Sequence, residues 1–233
     1  MSDELAEQVA GVGALVEPAR RALYLYVAGQ PEAVSREQAA SAVELPLHSV
    51  KFHLDRLVGE DLLEVEYRRL SGRTGPGAGR PSKLYRRSSR QLAVSLPERR
   101  YDLAGDVLAA ASDRSMRDGV PVAEAVRAAA DTRGRRIAAS SSGEPADAAG
   151  RLGDLERAAR LLARHGYEPR TSDRDICLAN CPFDRLAAEH TELVCGMNLA
   201  LIGGVLDGLD LGGLAAELDP QPGLCCVRVR VRG

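Results

Sequence analysis

The apolar positions fall into short amphipathic segments. Leu15, Ala19, Ala22, Leu23 and Tyr26 recur at helical spacing, which predicts a helix over 15–27 closed by Gly29-Gln30-Pro31. Ser35 followed by Gln38 has the form of a capping box and opens a short helix, 36–43. After the break at Glu44-Leu45-Pro46 a second helix is predicted over about 46–61, burying Val50, Leu54, Leu57 and Val58. Leu62 to Arg68 alternates like a strand, and Lys83–Arg86 reads as its returning partner across a Gly/Pro-rich stretch, 71–82. Residues 1–13 carry no such pattern and are expected to be a flexible arm.

Beyond Pro97 the helical period resumes. Leu103, Val107, Leu108 and Ala111 share a face over 99–112, and Val122, Ala125, Val126, Ala129 and Ile137 over 121–140. Residues 153–166 form another amphipathic helix with Gly166 as its C-cap. Two strands are expected within 167–178, a short helix over 182–190, a longer one over 191–209, and strands at 214–218 and 224–231. The expected fold is mainly α with small β. It comprises a helix–ribbon domain over 14–90, a helical linker or dimerisation region over 91–150, and a C-terminal α+β domain over 151–233.

Composition narrows the class. The protein has 233 residues, no Trp and only two Phe, so its cores are built from Ala, Leu and Val. No apolar run reaches the roughly 18 residues of a membrane span, and Met1-Ser2-Asp3-Glu4 lacks the basic and apolar regions of a signal peptide. A cytosolic protein that leaves the membrane alone is expected. Net charge is only −2, but Arg68, Arg69, Arg73, Arg80, Lys83, Arg86, Arg87 and Arg90 crowd a stretch without Asp or Glu. Such segregation suits a polyanion.

Helix, short helix, turn, helix and a two-stranded ribbon is the order of a winged helix-turn-helix. In that arrangement the second helix of the pair enters the major groove of duplex DNA, and its early exposed residues meet base edges. Here those are Leu47, His48, Ser49, Lys51, Phe52 and His53, with Arg73, Arg80 and Lys83 of the ribbon set along phosphates or in the minor groove.

All five cysteines lie between Cys177 and Cys226. In a reducing compartment such clustering points to metal or redox chemistry more than to disulfides. Cys177 and Cys181 leave a strand, Cys195 lies in a later helix, and Cys225-Cys226 opens the last strand. Three separated elements can enclose a metal where one local pair cannot. Pro182 as first helical residue places Cys181 at a helix N-terminus, which favours thiolate. Adjacent strand residues face opposite ways, so one of Cys225 and Cys226 is expected to face a shared site and the other to be a core thiol. The set fits an iron–sulfur cluster, a zinc site that could include His190, a metal-free thiol switch, or plain core cysteines, against which their clustering argues. His165 has no ligand partner nearby in sequence and reads as a surface residue. No nucleophile motif surrounds Cys181 or Cys195 and no nucleotide loop is present, so an enzyme is not expected.

Two resemblances sharpen this. Val50-Lys51-Phe52-His53-Leu54-Asp55-Arg56-Leu57-Val58, with Gly79-Arg80-Pro81-Ser82-Lys83-Leu84-Tyr85, resembles bacterial winged-helix regulators of the ArsR/MarR type, which implies operator binding as a homodimer. Asn180-Cys181-Pro182-Phe183, Leu186-Ala187-Ala188-Glu189-His190, Leu193-Val194-Cys195 and Gly223-Leu224-Cys225 resemble the C-terminal region of SufR-type regulators, repressors of iron–sulfur assembly operons. That resemblance implies a cluster, [4Fe–4S], that controls operator affinity. It carries over Cys181, Cys195 and Cys225 as ligands, with Cys177 as the fourth and His190 as its alternative. The stretch 190–198 departs from the closest SufR sequences, so a sister group with another cofactor stays open. A zinc-containing winged-helix regulator of a small ligand is the alternative function.

Overall fold

Residues expected as a loose arm form a helix, α1 (Asp3–Ala14). Its apolar positions meet a distant part of the chain: Leu5 and Ala14 are buried, and Gly11 lies so close to Leu92 that an added Cβ would come within 2.9 Å of a Leu92 methyl. The period is hidden because small residues form the contact. The computed structural model describes residues 3–69, 81–141 and 153–232. Contacts divide the chain into two units, Asp3–Val94 and Ser95–Gly233. It is mainly helical, with two small antiparallel sheets.

In the first unit α2 (Pro18–Ala28) starts where Glu17 accepts the backbone N–H groups of Ala19 and Arg20 at 3.2 and 2.6 Å. Strand β1 (Val34–Ser35) leads into α3 (Arg36–Ala42), whose capping box between Ser35 and Gln38 is formed in both directions. Helix α4 (Leu47–Gly59) buries Val50, Leu54 and Leu57 as its period requires. The sheet runs β1-β3-β2, with β2 (Leu63–Arg68) and β3 (Ser82–Arg87) paired from Leu63↔Arg87 to Arg68↔Ser82. Leu23, Val27, Leu54, Leu57, Leu63 and Tyr85 fill the core beneath it.

The second unit begins with α5 (Tyr101–Asp118) and α6 (Val122–Ser141). These residues read in sequence as a linker, yet Leu103, Val107, Val126 and Ile137 share one core with the C-terminal elements. The unit continues with α7 (Asp154–Arg164), β4 (Pro169–Thr171), β5 (Asp175–Leu178), α8 (Asp184–Glu189), α9 (Thr191–Gly208), β6 (Leu214–Leu218) and β7 (Val227–Val231). Its sheet runs β4-β5-β7-β6. Helix α9 is apolar on almost every side and therefore central; Val194, Met197, Leu201, Ile202, Val205 and Leu206 are all buried. It crosses α6 at glycines. A Cβ on Gly134 would collide with the Leu201 carbonyl, one on Gly204 with the Asp131 carbonyl, and one on Gly208 would sit 2.7 Å from Ala138. Small residues let the two backbones touch. Among the described residues no helix is long and apolar enough to cross a membrane.

Candidate functional site

On α4 the outward stripe is Leu47, His48, Lys51, Phe52 and Asp55, spaced as one helical face, with Ser49 half-buried beside it. Phe52 is 68% exposed, an unusual position for a large aromatic. His53 belongs elsewhere: its side chain is mostly buried, with Nδ1 3.6 Å from the Glu17 carboxylate that caps α2. It is turned toward the start of α2, its Nδ1 without a hydrogen-bond partner, and does not lie on the outward stripe.

The basic residues of the ribbon are less free than the sequence suggests. Lys83 Nζ lies 2.6 Å from Asp55 Oδ1 and over the Tyr85 ring, raising its pKa through those bonds against its own burial. Arg86 pairs with its cross-strand neighbour Glu64 at 3.0 Å, and Arg68 with Glu32 at 3.3 Å. These carboxylates lie outside the acid-free stretch and reach it through folding. Exposed pairs of this kind contribute about 0–1 kcal/mol, so a phosphate could displace the carboxylate. Arg73 and Arg80, with the glycines around them, lie outside the described residues.

The cysteines of the second unit divide four to one. Cys181 follows β5, Cys195 lies in the second turn of α9, and Cys225-Cys226 precede β7. Cys181 lies near enough to Cys225, Cys225 to Cys226, and Cys226 to Cys195 for each pair of thiols to shift one another's ionisation. Backbone bonds fix the approach: Cys225 N–H donates to Leu178 O and Asp219 N–H to Cys226 O, both at 2.8 Å. Because β7 starts only at Val227, the two adjacent cysteines escape strand alternation, and both thiols join the set. Cys226, expected as a bystander, is the fourth thiol. Cys177 is not: it stays within β5 between Ile176 and Leu178, which are turned into the core, so strand alternation points it to the other face. His190, the alternative, is exposed where α8 meets α9 and lines a cleft with Val126, Arg127, Glu192 and Met197.

Asn198 and Tyr167 complete the centre. Asn198 is 1% exposed on α9, one turn beyond Cys195; its Nδ2 donates to Cys225 Sγ at 3.2 Å and its Oδ1 accepts from the Tyr167 hydroxyl. The signal was an Asn inside an apolar helix at i+3 from a cysteine. Burial raises the Tyr167 pKa, as do the nearby cysteines. The expected low pKa of Cys181 does not appear. Helix α8 starts at Asp184, not Pro182, and although the Phe183 N–H favours the thiolate, contact with Cys225 and burial push the Cys181 pKa up. The Cys225 pKa is lowered by Cys181, but Cys226 and burial carry it up to about 11. Burial raises Cys195 against the lowering contact with Cys226. The raised values favour the protonated thiols of Cys181, Cys195 and Cys225, so a bound metal would have to displace those protons.

The donor chemistry fits a thiophilic group: soft ligands from three elements, Cys195 and Cys225 buried and Cys181 and Cys226 half-buried, with one amide donor aimed at a sulfur. Among the described residues no three His, Cys, Asp or Glu side chains are arranged to hold a metal ion; the thiols meet in pairs. His165, expected at the surface, has a buried Nδ1 without a hydrogen-bond partner, and burial with Arg100, Arg133 and Arg164 lowers its pKa to about 4. No protein-family model, curated protein or solved structure matches this chain.

Proposed function

We propose that the chain is a homodimeric winged helix-turn-helix transcriptional regulator, a repressor, in the cytoplasm, whose affinity for operator DNA is set by an iron–sulfur cluster at the cysteine centre. The observation that carries the reading is the row of neighbouring cysteines, Cys181 beside Cys225, Cys225 beside Cys226 and Cys226 beside Cys195, drawn from three separate elements next to Asn198. These three, with Cys226 as fourth thiol, would hold the group. Bound there, it supplies a reversible cross-link sensitive to oxygen and iron supply. Asn198 orients the Cys225 sulfur, and Tyr167 fixes the Asn198 amide. The stripe on α4 supports the DNA half of the reading. Lys51 offers a charge to phosphate, and Phe52 a flat apolar face of the kind that meets a thymine methyl. The test is anaerobic purification, analysis for iron and acid-labile sulfide, and selection of duplex DNA from a random pool. Zinc without sulfide sinks the cluster; failure to enrich any duplex sinks the regulator.

The pairwise proximity of the thiols favours a second reading, a metal-free thiol switch in the same regulator. Mass spectrometry after mild peroxide treatment separates the two. A disulfide between Cys181 and Cys225 in a protein that never carries iron selects the switch.

A further inference from the structure

We propose that Asn180 and Arg99 form the joint through which the cysteine centre acts on the segment leading from the first unit. This rests on the regulatory reading above. Residues 98–100 follow the boundary at Val94/Ser95 by only a few residues, and they are clipped to the loop that carries Cys181, some eighty positions further on. Asn180 is 6% exposed. Its Nδ2 donates to Glu98 O at 3.0 Å and Gly166 O at 2.5 Å, and its Oδ1 accepts from Arg99 Nη1. The same Nη1 donates to the Cys181 carbonyl at 3.2 Å, while Nη2 lies 3.6 Å from Asp184. The backbone adds another bond, from Arg100 N–H to Pro182 O at 3.0 Å. Gly166, at φ +83°, completes the joint: a Cβ there would press on the Glu98 side chain at 3.3 Å.

The arrangement transmits displacement well. Asn180 is bonded covalently to Cys181, and every hydrogen-bonding atom of its amide group is engaged. A buried, satisfied amide cannot exchange its partners for water without a penalty. When the Cys181 sulfur moves, Asn180 must either carry Glu98 and Arg99 with it or leave polar groups unpaired. Either outcome changes the order of residues 98–104, the segment that ties α5 to the chain of the first unit.

Hydrogen–deuterium exchange on the full chain tests this, with mercuric ion as the thiol probe so that the result does not depend on a cluster. In the wild type, one equivalent of mercuric ion is expected to change exchange at the amides of 98–104 by about tenfold. In Arg99→Ala and Arg99→Lys the change should stay within 178–184, while thiol titration shows the same number of accessible cysteines. Arg99→Lys keeps the charge and loses the planar fork, so a folded variant is at hand if Asn180→Ala proves unstable. A purely structural clip would lower the melting temperature in the variants but leave the response at 98–104 intact. That result overturns the proposal, as does a wild type whose 98–104 amides ignore the probe. Duplex binding is measured in parallel: a wild type that binds no DNA removes the regulatory reading, while the exchange result still decides the joint.

Discussion

The two units solve opposite problems. The first keeps its distinctive side chains outside. Phe52 and Lys51 stand in solvent, and the ribbon cations Lys83 and Arg86 pair with the exposed carboxylates of Asp55 and Glu64. The second keeps them inside. Asn198, Asn180 and the thiols of Cys195 and Cys225 are buried, around a helix that is apolar on nearly all sides. A surface built from weak, exchangeable pairs is ready to trade partners. A buried centre with few alternatives responds only when its covalent or coordination state changes. On the proposed reading, contact with DNA falls to the first unit and sensing to the second.

The sharpest way to break this contrast is at the crossing of α6 and α9. Gly134→Ala sets a methyl group against backbone that cannot yield, and overpacking against such a wall should destabilise the second unit by about 3 kcal/mol or more. The expected result is loss of that unit's cooperative melting while the helical signal of residues 3–94 persists; unchanged melting would show that the backbones do not touch.

Acid should reach the second unit through His165. Its folded pKa of about 4 lies below the ordinary histidine value of 6.5, so between those values the unfolded chain binds a proton that the folded chain refuses. Stability therefore falls as pH drops through that window, by on the order of 3 kcal/mol. Urea melts of wild type and His165→Gln across pH 4 to 7 check this, and the variant should lose most of the slope.

Asn198→Ala strands the buried Tyr167 hydroxyl and should cost about 1–3 kcal/mol. Adding Tyr167→Phe should recover part of it in a double-mutant cycle.

Changes in the first unit should leave stability alone and act on DNA. Phe52→Ala should weaken the selected duplex about tenfold, and Lys51→Ala should reduce the salt slope by about 1. Lys83→Ala should do less than Lys51→Ala because Asp55 already holds the ammonium. At the small end, Cys177→Ser should leave the metal content as it is.

The same contrast explains what could be read from sequence. The Ser35–Gln38 capping box, the apolar face of α4 and the β2–β3 ribbon are local signals, and each appears within a residue or two of its expected place. Helix α1 was hidden because its small residues pack on Leu92. In the second unit the element order was legible, but the thiol set was not. Cys226 lies beside Cys225 and Cys195 where the last strand starts three residues later than expected, while strand alternation turns Cys177 to the other face. Asn180 and Arg99 meet only in three dimensions.

Iron and acid-labile sulfide in protein purified without oxygen test the account most directly, measured side by side in wild type, Cys195→Ser and Cys177→Ser. Both elements present in wild type, absent in Cys195→Ser and retained in Cys177→Ser is the predicted result. A wild type with neither, or a Cys195→Ser protein that keeps both, would contradict it.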